Sequence, residues 1–211
     1  MKDMVETLNS LVASLGYAGE PVITRLPGSG SQRVYYRIAT EGRSLIGTVN
    51  GDRLENEAFL SFTQQLHKVG LPVPEVLAFD LDRGVYLQTD LGDTTLFHQL
   101  ERLKAMNAGT GMFPAELIQL YKKVLKRLVM LQSATVRNFD YSASYPRPVF
   151  DRQSMMWDLN YFKYYFLKLA KVPFSEQDLE DDFNRLCDFL LEASGGFFMY
   201  RDFQSRNIML V

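Results

Sequence analysis

The most informative stretch of the sequence is Tyr200-Arg201-Asp202-Phe203-Gln204-Ser205-Arg206-Asn207-Ile208-Met209-Leu210. A polar loop lies here between apolar segments, and it carries Asp202 and Asn207 five residues apart. At this spacing one loop can present a carboxylate to a hydroxyl as a base and an amide oxygen to a metal ion. The plainer alternative is an aspartate that only fixes a turn, because the spacing alone is a weak motif.

Composition limits the other functions that the chain can have. Hydrophobic residues make up 46% of its 211 residues, which is enough for a packed core, and the net charge of −2 gives no positive field for nucleic acid or anionic lipid. One cysteine, Cys187, and two histidines offer little material for a Cys/His metal site or a Ser-His nucleophile. With no secretory signal and no apolar run of about 20 residues, we expect a cytoplasmic protein without a membrane segment.

Hydrophobic periodicity predicts an α+β region in the first part of the chain. Gly16 ends the first predicted helix, and Pro72 and Pro74 close the second. Between and after these helices the apolar residues alternate as they do in strands. The predicted elements are a helix over 4–15, strands over 22–24, 33–40 and 44–49, a helix over 55–69, and a hairpin of strands 75–79 and 85–89.

After Gly92 the strand pattern stops and the chain becomes helical. Pro114 begins a long helix, and an aromatic helix is predicted over 155–170. Ser175 caps a third helix, with Phe174 placed to pack on Leu179, before Gly195 and Gly196 end it. We predict strand, loop and strand over 197–211. The composition therefore divides the chain into a small α+β lobe, residues 1–90, and a helical lobe, residues 91–211.

A glycine-rich hairpin joins the first two predicted strands. It contains Gly28, Ser29, Gly30 and Ser31, whose amides and hydroxyls could cradle phosphate groups. A plain turn is the alternative, because a full G-x-G-x-x-G is absent. The position of this hairpin before the Asp202 loop favours a nucleotide site.

These segments together resemble the aminoglycoside phosphotransferase and choline kinase-like superfamily of small-molecule kinases. Within it, the chain is most similar to the bacterial group that includes the anomeric kinases for N-acetylmuramate and N-acetylglucosamine. The resemblance extends over nearly the whole chain. It rests on Gly28 to Ser31 with Tyr35-Tyr36-Arg37, on Gly70 to Ala78, on Leu91-Gly92-Asp93, on Phe150-Asp151-Arg152, and on Arg201 to Leu210.

The resemblance implies an α+β, protein-kinase-like fold with two lobes, in which a five-stranded antiparallel sheet with a helix precedes a helical lobe. It implies ATP and Mg2+ as cofactors and transfer of the γ-phosphate to a hydroxyl of a small molecule, most plausibly a sugar or amino sugar. Asp202 would be the general base and Asn207 a magnesium ligand. Glu57 would occupy the place of the glutamate that such kinases pair with a strand lysine, although a solvated helix carboxylate is the alternative.

The sequence departs from this family pattern at two points. The third strand has no lysine, so the cation that neutralises the phosphates must come from elsewhere, with Arg33 or Arg37 as candidates. A second metal-binding aspartate is expected beyond Asn207, but the sequence ends at Val211 before one occurs. We therefore expect a truncated chain that is inactive alone and that self-associates through an apolar edge at 208–211.

Polar residues near the aromatic helix are candidates for binding the acceptor. Asp158 lies among the rings, and Asp151 and Arg152 lie at the helix entrance, where an ion pair with each other is the alternative. Aromatic rings with a carboxylate suit sugar recognition, but an aromatic stripe at helical spacing is more often part of a core, and we expect a core here.

Two other functions remain open at the level of sequence. A nucleotide- or partner-binding module without catalysis would explain the missing strand lysine and the missing second metal ligand. A kinase for an aminoglycoside or for choline would keep the same loop with another acceptor. No nucleic acid or membrane partner is expected.

Overall fold

The computed structural model describes residues 2–17, 19–28, 32–109, 113–134 and 139–211. Its backbone divides into two compact units, the first made of Met1–Ala143 with Phe198–Val211 and the second of Ser144–Phe197. The division into lobes near residue 90 stays a prediction.

The first unit contains a five-stranded antiparallel sheet in its described residues. The strand order is β1-β2-β3-β5-β4, and the pairing of every neighbouring pair is antiparallel. Its α1, α2 and strands confirm the elements predicted for this region. The bounds are α1 Lys2–Ser14, β1 Val22–Arg25, β2 Val34–Thr40, β3 Arg43–Val49, α2 Arg53–Lys68, β4 Val76–Asp80 and β5 Val85–Thr89.

One face of this sheet packs against α1 and forms the main core. Leu8 and Ile38 have no exposed surface, and both lie close to Gly47 on β3. A Cβ atom at Gly47 would lie 2.6 Å from a methyl carbon of Leu8, so any larger residue there would force the buried Leu8 side chain to shift. We call this the α1 face; its buried residues are Leu8, Val12, Tyr36, Ile38, Leu45, Val85 and Leu87.

The alternate residues of the same strands form the opposite face, which we call the polar face. Tyr35 pairs in register with Thr48, and Thr48 pairs with Tyr86. The ring of Tyr86 stacks on Phe59 of α2 at a centroid distance of 5.0 Å. Helix α2 thus covers part of the polar face, whose residues are Tyr35, Arg37, Ile46, Thr48, Tyr86 and Gln88, with Arg33 just before β2.

Two helices follow the sheet in the first unit, α3 over Leu96–Met106 and α4 over Ala115–Ala134. The sequence analysis predicted α4 but missed α3. Its signals are nevertheless present, since the Thr95 hydroxyl accepts a hydrogen bond from the His98 amide as an N-cap, and Leu96 and Leu103 recur on the buried side.

The second unit consists mainly of α5, Arg152–Phe162, a π-helical segment, Lys163–Leu167, and α6, Glu176–Leu191. The predicted start of α6 is confirmed, because the Ser175 side chain accepts a hydrogen bond from the Asp178 amide. The expected aromatic core is wrong. The rings are exposed in this structure, and the largest exposed fractions are those of Tyr161 at 64% and Tyr165 at 63%.

The segment after Phe197 differs from the predicted strand, loop and strand. A 3₁₀ turn spans Ser205–Asn207, and Met209 forms a single antiparallel bridge with Thr95. Residues 208–210 therefore have a backbone partner on one side, and self-association through an apolar edge at 208–211 stays a prediction. No helix within the described ranges is long and apolar enough to cross a bilayer.

Candidate functional site

The loop at 200–207 turns sharply at Arg201, whose φ of 64° lies in the left-handed region. A non-glycine residue adopts this conformation rarely, and such strain is concentrated at functional sites. Two short backbone bonds hold the turn: the Asp202 amide donates to the Tyr200 carbonyl at 3.0 Å, and the Gln204 amide donates to the Asp202 carbonyl at 2.9 Å. The carboxylate of Asp202 is exposed at this turn.

Asn207 returns to the same turn. Its side-chain Nδ2 donates to the Asp202 carbonyl at 3.0 Å, and its backbone amide donates to the Gln204 carbonyl at 2.9 Å. Because the amide nitrogen makes the bond to the loop, the side-chain oxygen is the atom that remains for a cation. The structure therefore brings Asp202 and Asn207 together on one short loop, and their chemical roles stay predictions.

Aromatic rings connect this loop to α2. The Tyr200 ring lies 5.3 Å from that of Phe203 and 6.4 Å from that of Phe198, and Phe139 links Phe198 to Phe62. Burial raises the pKa of the Tyr200 hydroxyl, and the charge of Asp202 adds to this effect. Tyr200 therefore stays a neutral phenol at pH 7 beside the carboxylate.

Arg33 lies at the edge of the polar face beside α2. Its Nη2 contacts Glu55 Oε1 at 3.0 Å, and its guanidinium lies 5.5 Å above the ring centroid of Phe59. The Asn50 side chain donates to the other oxygen of Glu55 at 2.7 Å. Arg33 is thus a partly buried cation whose direction is fixed by a carboxylate and a ring.

Glu57 contacts a different arginine. It accepts from Arg53 Nε at 2.8 Å, and Arg53 also contacts Asp82. The role predicted for Glu57 stays a prediction, but Glu55 is the glutamate of α2 that reaches Arg33. Sequence reasoning missed Glu55, although Asp52 and Glu55 have capping-box spacing and the Asp52 side chain accepts from the Glu55 amide.

Arg37 is engaged with two carboxylates. It contacts Asp90 at 2.7 and 3.2 Å and Asp93 at 3.0 and 2.8 Å. Since all four of these contacts use its guanidinium, Arg37 has little left to offer a phosphate group. Of the two candidate cations, Arg33 is the one that the geometry favours.

The polar face also carries buried polar atoms that lack a partner among the described residues. These include Arg33 Nε and Gln88 Oε1. A buried donor or acceptor left unpaired costs free energy, so such atoms favour a polar ligand over this face. Gly28 at the hairpin has open space around its Cα, while Ser29, Gly30 and Ser31 lie outside the described residues.

In the described part of the chain, no group of three His, Cys, Asp or Glu side chains is close enough together to hold a metal ion. The loop offers the Asn207 amide oxygen, which is a hard oxygen ligand of the kind that Mg2+ prefers. A single ligand of this kind suits a cation that arrives already bound to phosphates.

The three candidates for acceptor binding lie in the second unit. Asp151 caps α5, accepting from the Ser154 amide at 3.1 Å, and pairs with Arg147 rather than with Arg152. The Ser154 amide and then the Arg147 guanidinium lower the pKa of Asp151. Arg152 pairs with Asp188 of α6. Asp158 is exposed on α5, and binding of an acceptor by these residues stays a prediction.

Comparisons with known proteins bear on the family and the fold of the chain. The model of the phosphotransferase enzyme family matches residues 22–211. An N-acetylmuramate/N-acetylglucosamine kinase from Pseudomonas aeruginosa is 25% identical over 209 residues, which are 96% of this chain and 56% of that protein. The chain thus spans little more than half the length of this relative.

A crystal structure from Ralstonia eutropha JMP134, provisionally assigned as an aminoglycoside phosphotransferase, has a TM-score of 0.60 and 16% identity. The match covers 87% of this chain and 53% of that one. This likeness confirms the α+β, kinase-like fold implied by the sequence.

Proposed function

The chain belongs to the phosphotransferase enzyme family, and from this premise we propose that it supplies the nucleotide-binding region and catalytic loop of an ATP-dependent kinase. The proposed reaction transfers the γ-phosphoryl group of ATP to a hydroxyl of a sugar, with an amino sugar as the first candidate because of the Pseudomonas aeruginosa relative. The cytoplasm is the proposed location.

The observation that carries this proposal is the Asp202–Asn207 loop. Its backbone turn exposes the Asp202 carboxylate, and the side chain of Asn207 is tied to the Asp202 carbonyl at 3.0 Å. In the proposed step the acceptor oxygen forms a bond to the γ-phosphorus, the bond from that phosphorus to the β,γ-bridging oxygen breaks, and ADP leaves. The proton of the hydroxyl moves to Asp202.

Arg33 is the proposed cation for the nucleotide phosphates. A kinase of this kind needs a fixed positive charge there, and β3 has no lysine. Glu55 holds Arg33 at 3.0 Å, so it takes the part of the glutamate that orients the cation. Bound Mg2+ would neutralise charge on the β- and γ-phosphates, with the Asn207 amide oxygen as its ligand from this loop.

The test uses the full-length protein, ATP with magnesium, and a panel of sugars, aminoglycosides and choline. We expect turnover of a sugar first, and we expect Asp202→Asn to reduce kcat by several decades with little change in nucleotide affinity. Asp82→Asn, at an aspartate whose side chain is 90% exposed, is the matched control and should retain activity.

Other outcomes would replace the proposal. Preferential phosphorylation of an aminoglycoside or choline would change the acceptor class. Nucleotide binding with no turnover of any acceptor would identify a binding module, and an unchanged kcat in Asp202→Asn would remove Asp202 from the mechanism.

A further inference from the structure

A short segment between β5 and α3 contacts both the sheet and the Asp202 loop. It runs from Asp90, just after β5, to Leu96, the first residue of α3. We call residues 90–96 the anchor segment. The anchor segment, the sheet and the Asp202 loop all belong to the first unit.

At its first end the anchor segment is bound to the sheet through Arg37 of β2. The guanidinium makes two hydrogen bonds to Asp90, at 2.7 and 3.2 Å, and two to Asp93, at 3.0 and 2.8 Å. The Asp90 carboxylate, with 8% of its side chain exposed, also accepts from the Ser44 hydroxyl at 2.5 Å and from the Gly92 amide at 2.9 Å. A carboxylate this buried needs such partners.

The ionisation of Asp90 agrees with this arrangement. Burial by itself raises the pKa of its carboxyl, but hydrogen bonds from Ser44 and Arg37 outweigh burial, and the pKa lies below its ordinary value. Asp90 is therefore charged near neutral pH, and the paired guanidinium and carboxylate are both ionised.

At its other end the anchor segment pairs with the chain just after Asn207. The Leu96 amide donates to the Ile208 carbonyl at 2.8 Å, and the Leu210 amide donates to the Thr94 carbonyl at 2.8 Å. A second contact supports these bonds, because the Arg206 guanidinium lies 4.2 Å above the ring centroid of Phe97. Asp93, which Arg37 holds, and Thr94, which bonds the Leu210 amide, are adjacent in the chain, so the two sets of contacts are joined by one peptide unit.

We propose that Arg37, through Asp90 and Asp93, is a positioning residue for the Asp202–Asn207 loop. The arginine fixes the first half of the anchor segment, and the second half then presents a rigid backbone edge to residues 208–210. Asn207 is covalently joined to that paired edge, and its side chain is bound to the Asp202 carbonyl. The expected effect of Arg37 on catalysis rests on the proposed function. The expected effect of Arg37 on the position of the loop does not.

An ordinary surface ion pair is the competing explanation, and such pairs contribute little to stability. Arg83 offers a comparison within the same unit. It pairs with Asp80 at 2.7 Å, and 64% of its side chain is exposed, against 28% for Arg37. The buried Asp90, with bonds from three residues, distinguishes the Arg37 cluster from this exposed pair.

Hydrogen exchange of single amides tests the coupling in the purified protein. In Arg37→Met we expect the amides of Leu96 and Leu210 to exchange at least about tenfold faster. The Leu71 amide, which donates to Leu66 in another part of the first unit, should stay within twofold of its wild-type rate. Arg83→Met is the matched control and should leave all three rates unchanged.

Kinetics of the full-length protein test the catalytic consequence. A loop displaced by a fraction of an ångström should lower kcat by about tenfold to a hundredfold in Arg37→Met while KM for ATP changes less than about threefold. Arg37→Lys keeps the charge but loses the planar guanidinium that bonds two carboxylates at once, so it should recover only part of kcat. If Arg37 instead bound the phosphates, KM for ATP would rise.

If the amides of Leu96 and Leu210 exchange at the wild-type rate in Arg37→Met, the proposal is overturned, whatever the kinase activity of that variant. If that variant fails to fold, Asp93→Asn replaces it, because the Asp93 side chain is 79% exposed, and the same faster exchange is expected. A wild type without any phosphoryl transfer would overturn the proposed function, while the exchange result would still decide whether Arg37 positions the loop.

Discussion

The two faces of the first-unit sheet use the same strands for different purposes. The α1 face is apolar and closed, with Leu8 and Ile38 fully buried and packed closely against Gly47. On the polar face, Arg33 Nε and Gln88 Oε1 are buried and have no hydrogen-bond partner among the described residues. Strand alternation separates stability from ligand chemistry, because neighbouring residues point to opposite faces. Mutations on the two faces should therefore have separable effects.

The largest expected effect is on the α1 face. Leu8→Ala removes a fully buried side chain and leaves a cavity against Gly47, which should lower the free energy of unfolding by about 2–5 kcal/mol. Urea unfolding measures this change. Nucleotide affinity of the remaining folded protein should be unaffected.

The same substitution at an exposed leucine is the control for Leu8→Ala. Leu54, which is 57% exposed on α2, should change the free energy of unfolding by no more than about 0.5 kcal/mol when replaced by alanine. Equal losses at both positions would contradict the assignment of Leu8 to the main core of the sheet.

A smaller effect of a different kind is expected on the polar face. Arg33→Met should weaken ATP binding about tenfold to a hundredfold, because the fixed charge for the phosphates is lost. The melting temperature should change little, and Glu55→Gln should weaken binding less than Arg33→Met does. Calorimetric titration with ATP and magnesium measures the affinities.

Arg83→Met is the matched control for the binding experiment, since it removes an exposed arginine from the β4–β5 turn. It should bind ATP as the wild type does. A wild-type affinity in Arg33→Met would assign the phosphate cation to another residue and end the proposed role of Glu55.

The smallest expected effect is the acid response of the Arg37 cluster. The pKa of Asp90 is lowered from its ordinary value of 3.8 in the folded chain, so its contribution to stability is complete above that value and disappears as the pH falls through the lowered pKa. The stability difference between wild type and Asp90→Asn should shrink on acidification below about pH 4. Urea unfolding between pH 7 and pH 3 measures it.

Asp82→Asn serves as the control in the acid series, because the Asp82 side chain is 90% exposed. Its stability difference from wild type should be small throughout. A difference for Asp90→Asn that stays constant down to pH 3 would show that the charge of Asp90 does not contribute to folding.

Much of the fold could be predicted from the sequence because local signals and packing agree. Alternation identified the strands, and Ser175 and Gly16 marked helix ends that the structure confirms. Helix α3 was missed although Thr95 caps it. The aromatic helix was assigned to a core because periodicity describes a helix face without identifying what packs on it.

The candidate site was predictable only where it lies within one loop. The spacing of Asp202 and Asn207 is visible in the sequence, and the structure brings both to one turn. The partner of Arg33 was not predictable in the same way. Glu55 and Glu57 lie about 200° apart around α2, and only the approach of β2 to that helix selects Glu55.

Arg33, just before β2, and Arg37, within β2, are four residues apart in the sequence, and this interval fixes the distance between them. An extended strand advances about 3.3 Å per residue, so these two α-carbons stand about 13 Å apart whatever packs around them. The gap between the proposed phosphate contact and the anchor of the loop is thus set by chain geometry. Inserting one residue between them would turn one arginine to the opposite face of the sheet. Changes in neighbouring side chains could not bring both arginines back to the same face.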